Sequence, residues 1–166
     1  KKKKTVGIVC LTNKQALVMT DIVDPATRSR MMSGITAKNT KPELIIRKLL
    51  FNSGFRYRLH NRSLKGTPDI VLKKYSAVIF VNGCFWHGHN CHLFRLPKSR
   101  TDFWKTKIQS NSKRDTRNRK LLAKEGWRVG VVWECAVKGK TAISHEVITC
   151  RIRDWLECDK KVFLIK

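Results

Sequence analysis

Apolar residues recur along the chain in two patterns that predict different elements. Four short runs predict strands: 55–59, 68–72, 77–81 and 127–133. Four longer stretches with helical spacing predict helices: 25–34, 40–51, 101–125 and 144–156. A turn at 73–76 joins the second and third strands into a predicted hairpin. This order of elements predicts an α/β fold in which one central mixed sheet is flanked by helices.

The residues at three predicted helix starts are those that favour helix N-termini. Asp24 stands before Pro25, whose missing N–H costs nothing at a first helical position. Thr40 and Glu43 have the spacing of a capping box. Ser144 is placed to cap the last helix.

The charge of the chain indicates a polyanionic partner. Its 166 residues include 36 Lys and Arg against 12 Asp and Glu, a formal net charge of +24. A hydrophobic fraction of 42% argues against intrinsic disorder. No apolar run approaches the roughly 20 residues of a membrane span, which excludes an integral membrane protein. We therefore expect a folded basic domain that binds nucleic acid, with an anionic membrane surface as the second option.

The first eighteen residues differ from the rest of the chain. A lysine run at 1–4 precedes a short apolar patch at 6–11, and no small-residue cleavage site follows. We interpret 1–18 as a mis-set start or a non-native extension, with Met19 as the initiator. Residues 19–166 are then expected to form a single domain.

The segment 84–92 concentrates two thiols and three imidazoles within nine residues. Sulfur and imidazole are the ligands that tetrahedral zinc prefers, and Cys84, His89 and Cys91 can converge from one tight loop. Cys135, just past the strand 127–133, is the candidate for the fourth ligand. Four protein ligands close a site, so the metal is expected to be structural. The alternative is a set of free thiols in the core beside exposed histidines.

Asp69 follows Pro68 at the start of a predicted strand. One carboxylate at a strand edge is a suitable ligand for Mg²⁺, which binds through one or two carboxylates together with phosphate and water. The signal is weak by itself, because a Pro-Asp pair is more often a turn.

The segment 95–128 is rich in Lys and Arg and contains Phe103 and Trp104. A basic face with exposed aromatic side chains suits phosphate contact combined with base stacking. A solvated helix face is the alternative.

Five blocks follow one another in a specific order: 27–32, 66–69, 78–87, 100–104 and 126–135. Together they resemble the very-short-patch repair (Vsr) DNA mismatch endonucleases over about residues 19–155, and the Gly-Cys-Phe-Trp-His sequence at 83–87 is the most specific part. The resemblance implies the restriction-endonuclease-like fold, a central mixed sheet with flanking helices, in agreement with the pattern of elements.

The resemblance also implies catalytic roles. Asp69 matches the carboxylate that holds Mg²⁺, with the main-chain carbonyl of Val81 as a second metal contact. His87 matches the histidine that activates the attacking water, and Glu43 matches an acidic residue near the site, where the capping box offers it a purely structural role instead. The chain has Asn82 where the family typically has histidine, which puts the rate and the role of the metal-bound water in question.

The same resemblance assigns structural and DNA-binding residues. The structural zinc ligands are Cys84, His89, Cys91 and Cys135. The aromatic side chains that wedge into DNA beside a mismatch are Phe85, Trp86 and Trp104. A short N-terminal helix enters the minor groove with Met32 and Ile35.

We therefore expect a Mg²⁺-dependent endonuclease that nicks one strand of duplex DNA, 5′ of the thymine in a T:G mismatch left by deamination of 5-methylcytosine. We expect a monomer without a membrane partner, with mismatch-repair proteins as further partners. The chain is too long and core-rich to need disulfides, which favours the reducing bacterial cytoplasm. Two alternatives stay open: a restriction-type nuclease that cuts paired DNA, and a zinc-stabilised DNA-binding module that is inactive because of Asn82.

Overall fold

The structure is a computed structural model and describes residues 24–34 and 38–166. The helices are α1 (Pro25–Ser33), α2 (Lys41–Asn52), α3 (Thr101–Lys124) and α4 (His145–Glu157). The strands are β1 (Arg58–Leu59), β2 (Ile70–Leu72), β3 (Ala77–Asn82), β4 (Arg128–Trp133) and β5 (Val162–Ile165). Residues 1–18 and Ile35 lie outside the described part of the chain.

The five strands form one mixed sheet in the order β1-β2-β3-β4-β5. The pairs β1–β2 and β2–β3 are antiparallel, which confirms the predicted hairpin. The pairs β3–β4 and β4–β5 are parallel, and the crossovers run through α3 and α4. The predicted central mixed sheet with flanking helices is confirmed.

Two strand predictions differ from the structure. The strand predicted at 55–59 is paired only at Arg58–Leu59, because Phe55 is buried against the ring of Tyr75 instead of joining the ladder. Strand β5 was not predicted. Its alternate residues Val162 and Leu164 are exposed at the sheet edge, so a four-residue segment carries little signal.

Helices cover both faces of the sheet. Side chains of α2 and α4, among them Ile46, Leu50 and Ile152, pack on one face. On the other face Leu122 of α3 packs against the alternate strand residues Val71, Val78 and Val129. Among the described residues, no helix has both the length and the apolar character needed to cross a membrane.

The parallel pairing of β3 and β4 positions the loops that matter below. Asn82, the last residue of β3, lies opposite Trp133, the last residue of β4. The loop after β3 and the short 3-10 turn after β4, Glu134–Ala136, therefore begin side by side at the carboxyl ends of the two strands. Residues distant in sequence meet there.

Candidate active site and metal centre

A cavity of about 980 Å³ opens beside the carboxyl end of β3, between the start of α2 and the middle of α3. Its lining includes the predicted residues Asp69, Val81, Asn82, Trp86, His87 and Glu43. Three residues with left-handed backbones also line it: Asn39 (φ 57°), His60 (φ 46°) and Thr67 (φ 49°). Such conformations are costly for residues other than glycine and concentrate at functional sites.

Asp69 is fixed at the floor of this cavity. It immediately precedes β2, whose pairing with β3 sets Ile70 opposite Ile79. One carboxylate oxygen, Oδ2, accepts the Val81 N–H at 2.8 Å. Burial raises the pKa of Asp69 to about 6, and the Val81 hydrogen bond opposes that shift. A bound cation would favour the ionised carboxylate, which is the form that ligates metal.

His87 is oriented by a carboxylate that the sequence did not suggest. Its Nδ1 is hydrogen-bonded to the carboxylate of Asp115 on α3. Because the carboxylate accepts from Nδ1, Nε2 is the nitrogen left to take a proton from another group. Both residues line the cavity that contains Asp69.

One face of α3 contacts residues 85–88, the part of the loop that carries His87. Trp104, Ile108, Asn111 and Asp115 follow one another at spacings of four, three and four residues, so they share one side of the helix. They are also less exposed than the residues between them. We call these four residues the α3 stripe.

Each residue of the α3 stripe contacts a different part of the loop. Trp104 packs against the rings of Phe85 and Trp86 at centroid distances of 5.3 and 6.0 Å. Asn111 donates from Nδ2 to the Trp86 carbonyl at 2.9 Å. A Cβ on Gly88 (φ +64°) would come within 2.7 Å of Ile108, so only glycine fits there. The spacing of this stripe is the signal that would have identified Asp115 from the sequence.

Glu43 lies close to Asp69 but has no free oxygen. Its Oε2 accepts from Arg47 at 2.7 Å and from the Asn39 N–H at 3.0 Å. Its Oε1 accepts from the hydroxyl and the N–H of Thr40, which completes the predicted capping box. Ligand atoms of Glu43, His60 and Asp69 lie within 4.8 Å of one another, so this trio could hold a metal by proximity. A metal on Glu43 would have to displace contacts already made.

Asn82 is the buried end of β3 and borders the cavity. His60 follows β1 and was not identified from the sequence. Burial, together with the neighbouring Arg47 guanidinium, lowers the pKa of His60, so the ring is neutral at pH 7.

The four predicted zinc ligands converge on one point. Ligand atoms of Cys84, His89, Cys91 and Cys135 all lie within 4.8 Å of one another, so the cluster could bind a metal. His89 Nδ1 is 3.5 Å from the sulfur of Cys84 and 3.5 Å from that of Cys135. Cys84 comes two residues after Asn82 and Cys135 two residues after Trp133, which explains how the sheet edge brings them together.

The environment of this cluster favours uncharged groups until a cation is present. Burial raises the pKa of the Cys84 and Cys135 thiols and lowers the pKa of His89. The His89 ring stacks on Trp133 with centroids 4.2 Å apart, which holds the imidazole plane. Neutral imidazole is the ligating form, and a metal would convert the thiols to thiolates.

The predicted DNA-binding aromatic residues form one half-buried group beside the cavity. Phe85, Trp86 and Trp104 contact one another edge to face, and Phe103 extends the group into solvent with half of its surface exposed. Met32 lies on α1, and Ile35 lies outside the described residues. The predicted minor-groove pair Met32 and Ile35 therefore stays a prediction.

Cationic side chains surround the cavity and continue along α3. Those that line the cavity are Lys38, Lys41, Arg114, Arg119 and Lys138. A shallow groove of about 820 Å³ on the adjoining face of α3 is lined by Phe103 together with Lys107, Lys113, Arg114 and Arg117. A continuous positive surface of this kind attracts a phosphate backbone.

Comparisons with known proteins identify the family. A family model for the DNA mismatch endonuclease Vsr matches residues 20–93. Over 138 residues the chain is 44% identical to the DNA mismatch endonuclease Vsr of Escherichia coli, which covers 83% of this chain and 88% of that protein. The chain belongs to the Vsr family. The resemblance inferred from the sequence blocks is thereby confirmed.

Two further relatives of this Vsr-family chain are named as nicking enzymes. It is 50% identical to the type II nicking enzyme V.XorIIP of Xanthomonas oryzae over 125 residues, 75% of this chain and 92% of that protein. It is 49% identical to the type II nicking enzyme V.NmeAIP of Neisseria meningitidis over 136 residues, 82% of this chain and 96% of that protein. The Vsr family model itself ends before α3, so Asp115 and Cys135 lie outside the residues that it matches.

Proposed function

We propose that this Vsr-family protein is a Mg²⁺-dependent endonuclease that nicks one strand of duplex DNA 5′ of the thymine in a T:G mismatch. The observation that carries the proposal is the cavity in which Asp69 and the Asp115-oriented His87 lie together. A protein of net charge +24 brings phosphodiester to that cavity by electrostatic attraction.

Each residue of the cavity has a separate role in the proposed hydrolysis of the phosphodiester. Asp69 and the main-chain carbonyl of Val81 would hold Mg²⁺, which offsets charge developing on the phosphate and the leaving oxygen. His87 accepts the proton of the attacking water at Nε2, and the Asp115 carboxylate stabilises the imidazolium that results. Arg114, Arg119 and Lys138 line the same cavity, where their positive charges would attract the phosphate oxygens.

Zinc is the metal that we assign to the cluster of Cys84, His89, Cys91 and Cys135. Zinc bonds of roughly 2.3 Å to sulfur and 2.0 Å to nitrogen, at a tetrahedral angle, separate the two ligand atoms by about 3.5 Å. The separations of His89 Nδ1 from the two sulfurs are 3.5 Å. The role is structural, because four protein ligands leave no position for substrate.

The mismatch is read by the aromatic group. A T:G wobble pair is weakly stacked, and side chains that fill the gap recover the unstacking cost of a few kcal/mol. Phe85 and Trp86 precede His87 in the loop, and Trp104 of the α3 stripe packs on both, so insertion and cutting occur side by side. Met32 and Ile35 would contact the minor groove from the N-terminal side.

We assign the restriction-endonuclease-like fold to the sheet and its flanking helices, with 19–166 as one domain. The position of Asp69 at the entry to β2 and the parallel β3–β4 pair support that assignment. We further propose a cytoplasmic monomer that acts with mismatch-repair proteins.

The decisive experiment is a nicking assay on matched duplexes that differ only in T:G or T:A and carry a different label on each strand. We expect a single nick, 5′ of the mismatched thymine, that requires added Mg²⁺. Asp69→Ala protein with an unchanged melting temperature is the inactive control. Equal cleavage of the T:A duplex would favour a restriction-type nuclease. Tight binding without any nick would favour an inactive DNA-binding module.

A further inference from the structure

His60 lines the cavity with its Nε2 in contact with Arg47 and its Nδ1 near Asp69, and the mechanism proposed above gives it no role. It lies directly after β1, its side chain is only 17% exposed, and its backbone is left-handed. Holding a histidine in that conformation costs free energy, so the position of the ring is enforced by the surrounding structure.

Arg47 determines which nitrogen of His60 carries the proton. Its Nη2 lies 3.0 Å from His60 Nε2, and a guanidinium can only donate. Arg47 is itself buried and fixed by Glu43 at 2.7 Å and by Asn39 at 2.6 Å. His60 Nε2 must therefore accept, which places the proton of the neutral ring on Nδ1.

The protonated nitrogen faces the catalytic carboxylate. His60 Nδ1 lies 4.0 Å from Asp69 Oδ1, while the other oxygen, Oδ2, already accepts from Val81. A hydrogen bond requires a separation of about 3 Å, so a movement of roughly 1 Å closes the contact.

We propose that His60 is a positioning residue that donates from Nδ1 to Asp69 Oδ1 and thereby fixes the direction in which the carboxylate meets its metal. The proposal rests on the assignment of Asp69 to Mg²⁺ binding made above. The chain Asn39–Arg47–His60–Asp69 then connects the start of α2 to the catalytic carboxylate.

This assignment excludes His60 as a metal ligand. A ligating Nδ1 needs a free electron pair, which would move the ring proton to Nε2 and direct it at the donating Arg47. The oxygens of Glu43, the third member of the possible metal trio, are already occupied. The trio therefore orders Asp69 and does not form a second metal site.

Substitutions of His60 distinguish a residue that donates a hydrogen bond to Asp69 from one that ligates the metal. Glutamine has a carbonyl that can accept from Arg47 and an amide that can donate to Asp69, so His60→Gln should keep the Mg²⁺ dependence of nicking close to wild type. His60→Leu should raise the Mg²⁺ concentration for half-maximal nicking by about 10–100-fold, the usual effect of removing a group that orients a metal ligand. His145→Ala, at an exposed position on α4, is the matched control.

The tautomer gives a second test that needs neither DNA nor metal. Long-range proton–nitrogen NMR spectra of ¹⁵N-labelled protein at pH 8, assigned by comparison with His60→Gln, should show His60 protonated at Nδ1 and bare at Nε2. Binding of Mg²⁺ alone, followed by the amide shift of Val81, should weaken in His60→Leu and not in His60→Gln.

Three results would overturn the proposal: an Nε2-protonated ring, an equal loss of Mg²⁺ binding in the glutamine and leucine variants, or unchanged Mg²⁺ binding in folded His60→Leu. Wild-type protein that binds no Mg²⁺ and does not nick would refute the proposed function instead, while the tautomer spectrum would still test the hydrogen-bond direction.

Discussion

The Cys/His cluster and the cavity around Asp69 lie at the same end of strands β3 and β4 but are built differently. Three of the four cluster ligands come from one loop, and the fourth from the turn after the neighbouring strand. The cavity draws its residues from the start of α2, the end of β1, the entry to β2, the end of β3 and the middle of α3. The four ligand atoms of the cluster face one another. The cavity, in contrast, is lined by residues with left-handed backbones and by Asp69, whose pKa is raised. The first arrangement suits a structural metal, and the second suits the reaction proposed above.

The largest effect is expected at the cavity. Asp69→Asn keeps the size and the Val81 contact of the side chain but removes the charge that binds Mg²⁺, so nicking of the T:G duplex should fall to background. Zinc content and DNA binding should be unchanged, because neither depends on this carboxylate. Nicking at a wild-type rate would remove Asp69 from the site.

His87 and Asp115 test the proposed base. His87→Ala should slow nicking by about 10²–10⁴-fold, the range typical of a general base. Asp115→Asn should slow nicking less, since the imidazole remains and only its orientation and charge stabilisation are lost. Single-turnover rates at saturating protein measure both variants. An Asp115→Asn loss equal to or larger than that of His87→Ala would contradict the proposed division of roles.

Loss of a ligand from the Cys/His cluster should lower the free energy of unfolding of the protein. Cys135→Ser removes a ligand that ties the loop after β3 to the turn after β4, and metal binding at a structural site is folding free energy. We expect loss of the bound zinc by elemental analysis and a fall in unfolding free energy of about 3 kcal/mol or more. Cys150→Ser, at an exposed cysteine on α4, is the control. Metal-free Cys135→Ser protein with wild-type stability would end the structural assignment.

A smaller effect is expected at the aromatic group. Trp104→Ala should reduce the ratio of T:G to T:A nicking through a loss of roughly 1–3 kcal/mol of stacking, with little change in salt-dependent duplex binding. Phe51→Ala, at an exposed aromatic on α2, is the comparison. If folded Trp104→Ala protein kept the wild-type ratio of T:G to T:A nicking, the aromatic group would only pack the loop against α3 and would not recognise the mismatch.

The smallest effect concerns pH and the stability of zinc-loaded, Mg²⁺-free protein. Burial raises the pKa of Asp69 from 3.8 to about 6, so the folded protein retains a proton that the unfolded chain releases. The contribution of this group is fully present below the unfolded pKa and is lost as pH rises through the folded one. Asp69→Asn should therefore be more stable than wild type by about 1–3 kcal/mol at pH 8. Urea unfolding should show this difference growing from about pH 4 to about pH 6, the interval between the two pKa values, whereas a pH-independent difference would contradict it.

Sequence reasoning identified the parts of the site that are contiguous in the chain. The candidate metal ligands of the 84–91 loop, His87 and the β2–β3 hairpin all carry local signals, and the capping box at Thr40 and Glu43 is observed as predicted. Asp115 was missed because the helical spacing that marks it was not combined with its contact to His87 in a distant loop. His60 was missed because its significance depends on the contact with Arg47 of α2. Strand β5 was missed because its pairing with β4 depends on the tertiary fold and its pattern is short.

The α3 stripe fixes the distance between Trp104, which is proposed to contact the mismatch, and Asp115, which orients the proposed base His87. Trp104 and Asp115 are eleven residues apart on one helix, which is about 16 Å along its axis and close to three whole turns. A helix cannot change that spacing gradually, because adding or removing one residue would rotate Trp104 away from the loop by roughly 100°. In the proposed enzyme, the distance along α3 between Trp104 of the aromatic group and the Asp115 that orients His87 would therefore change only in steps of whole helical turns.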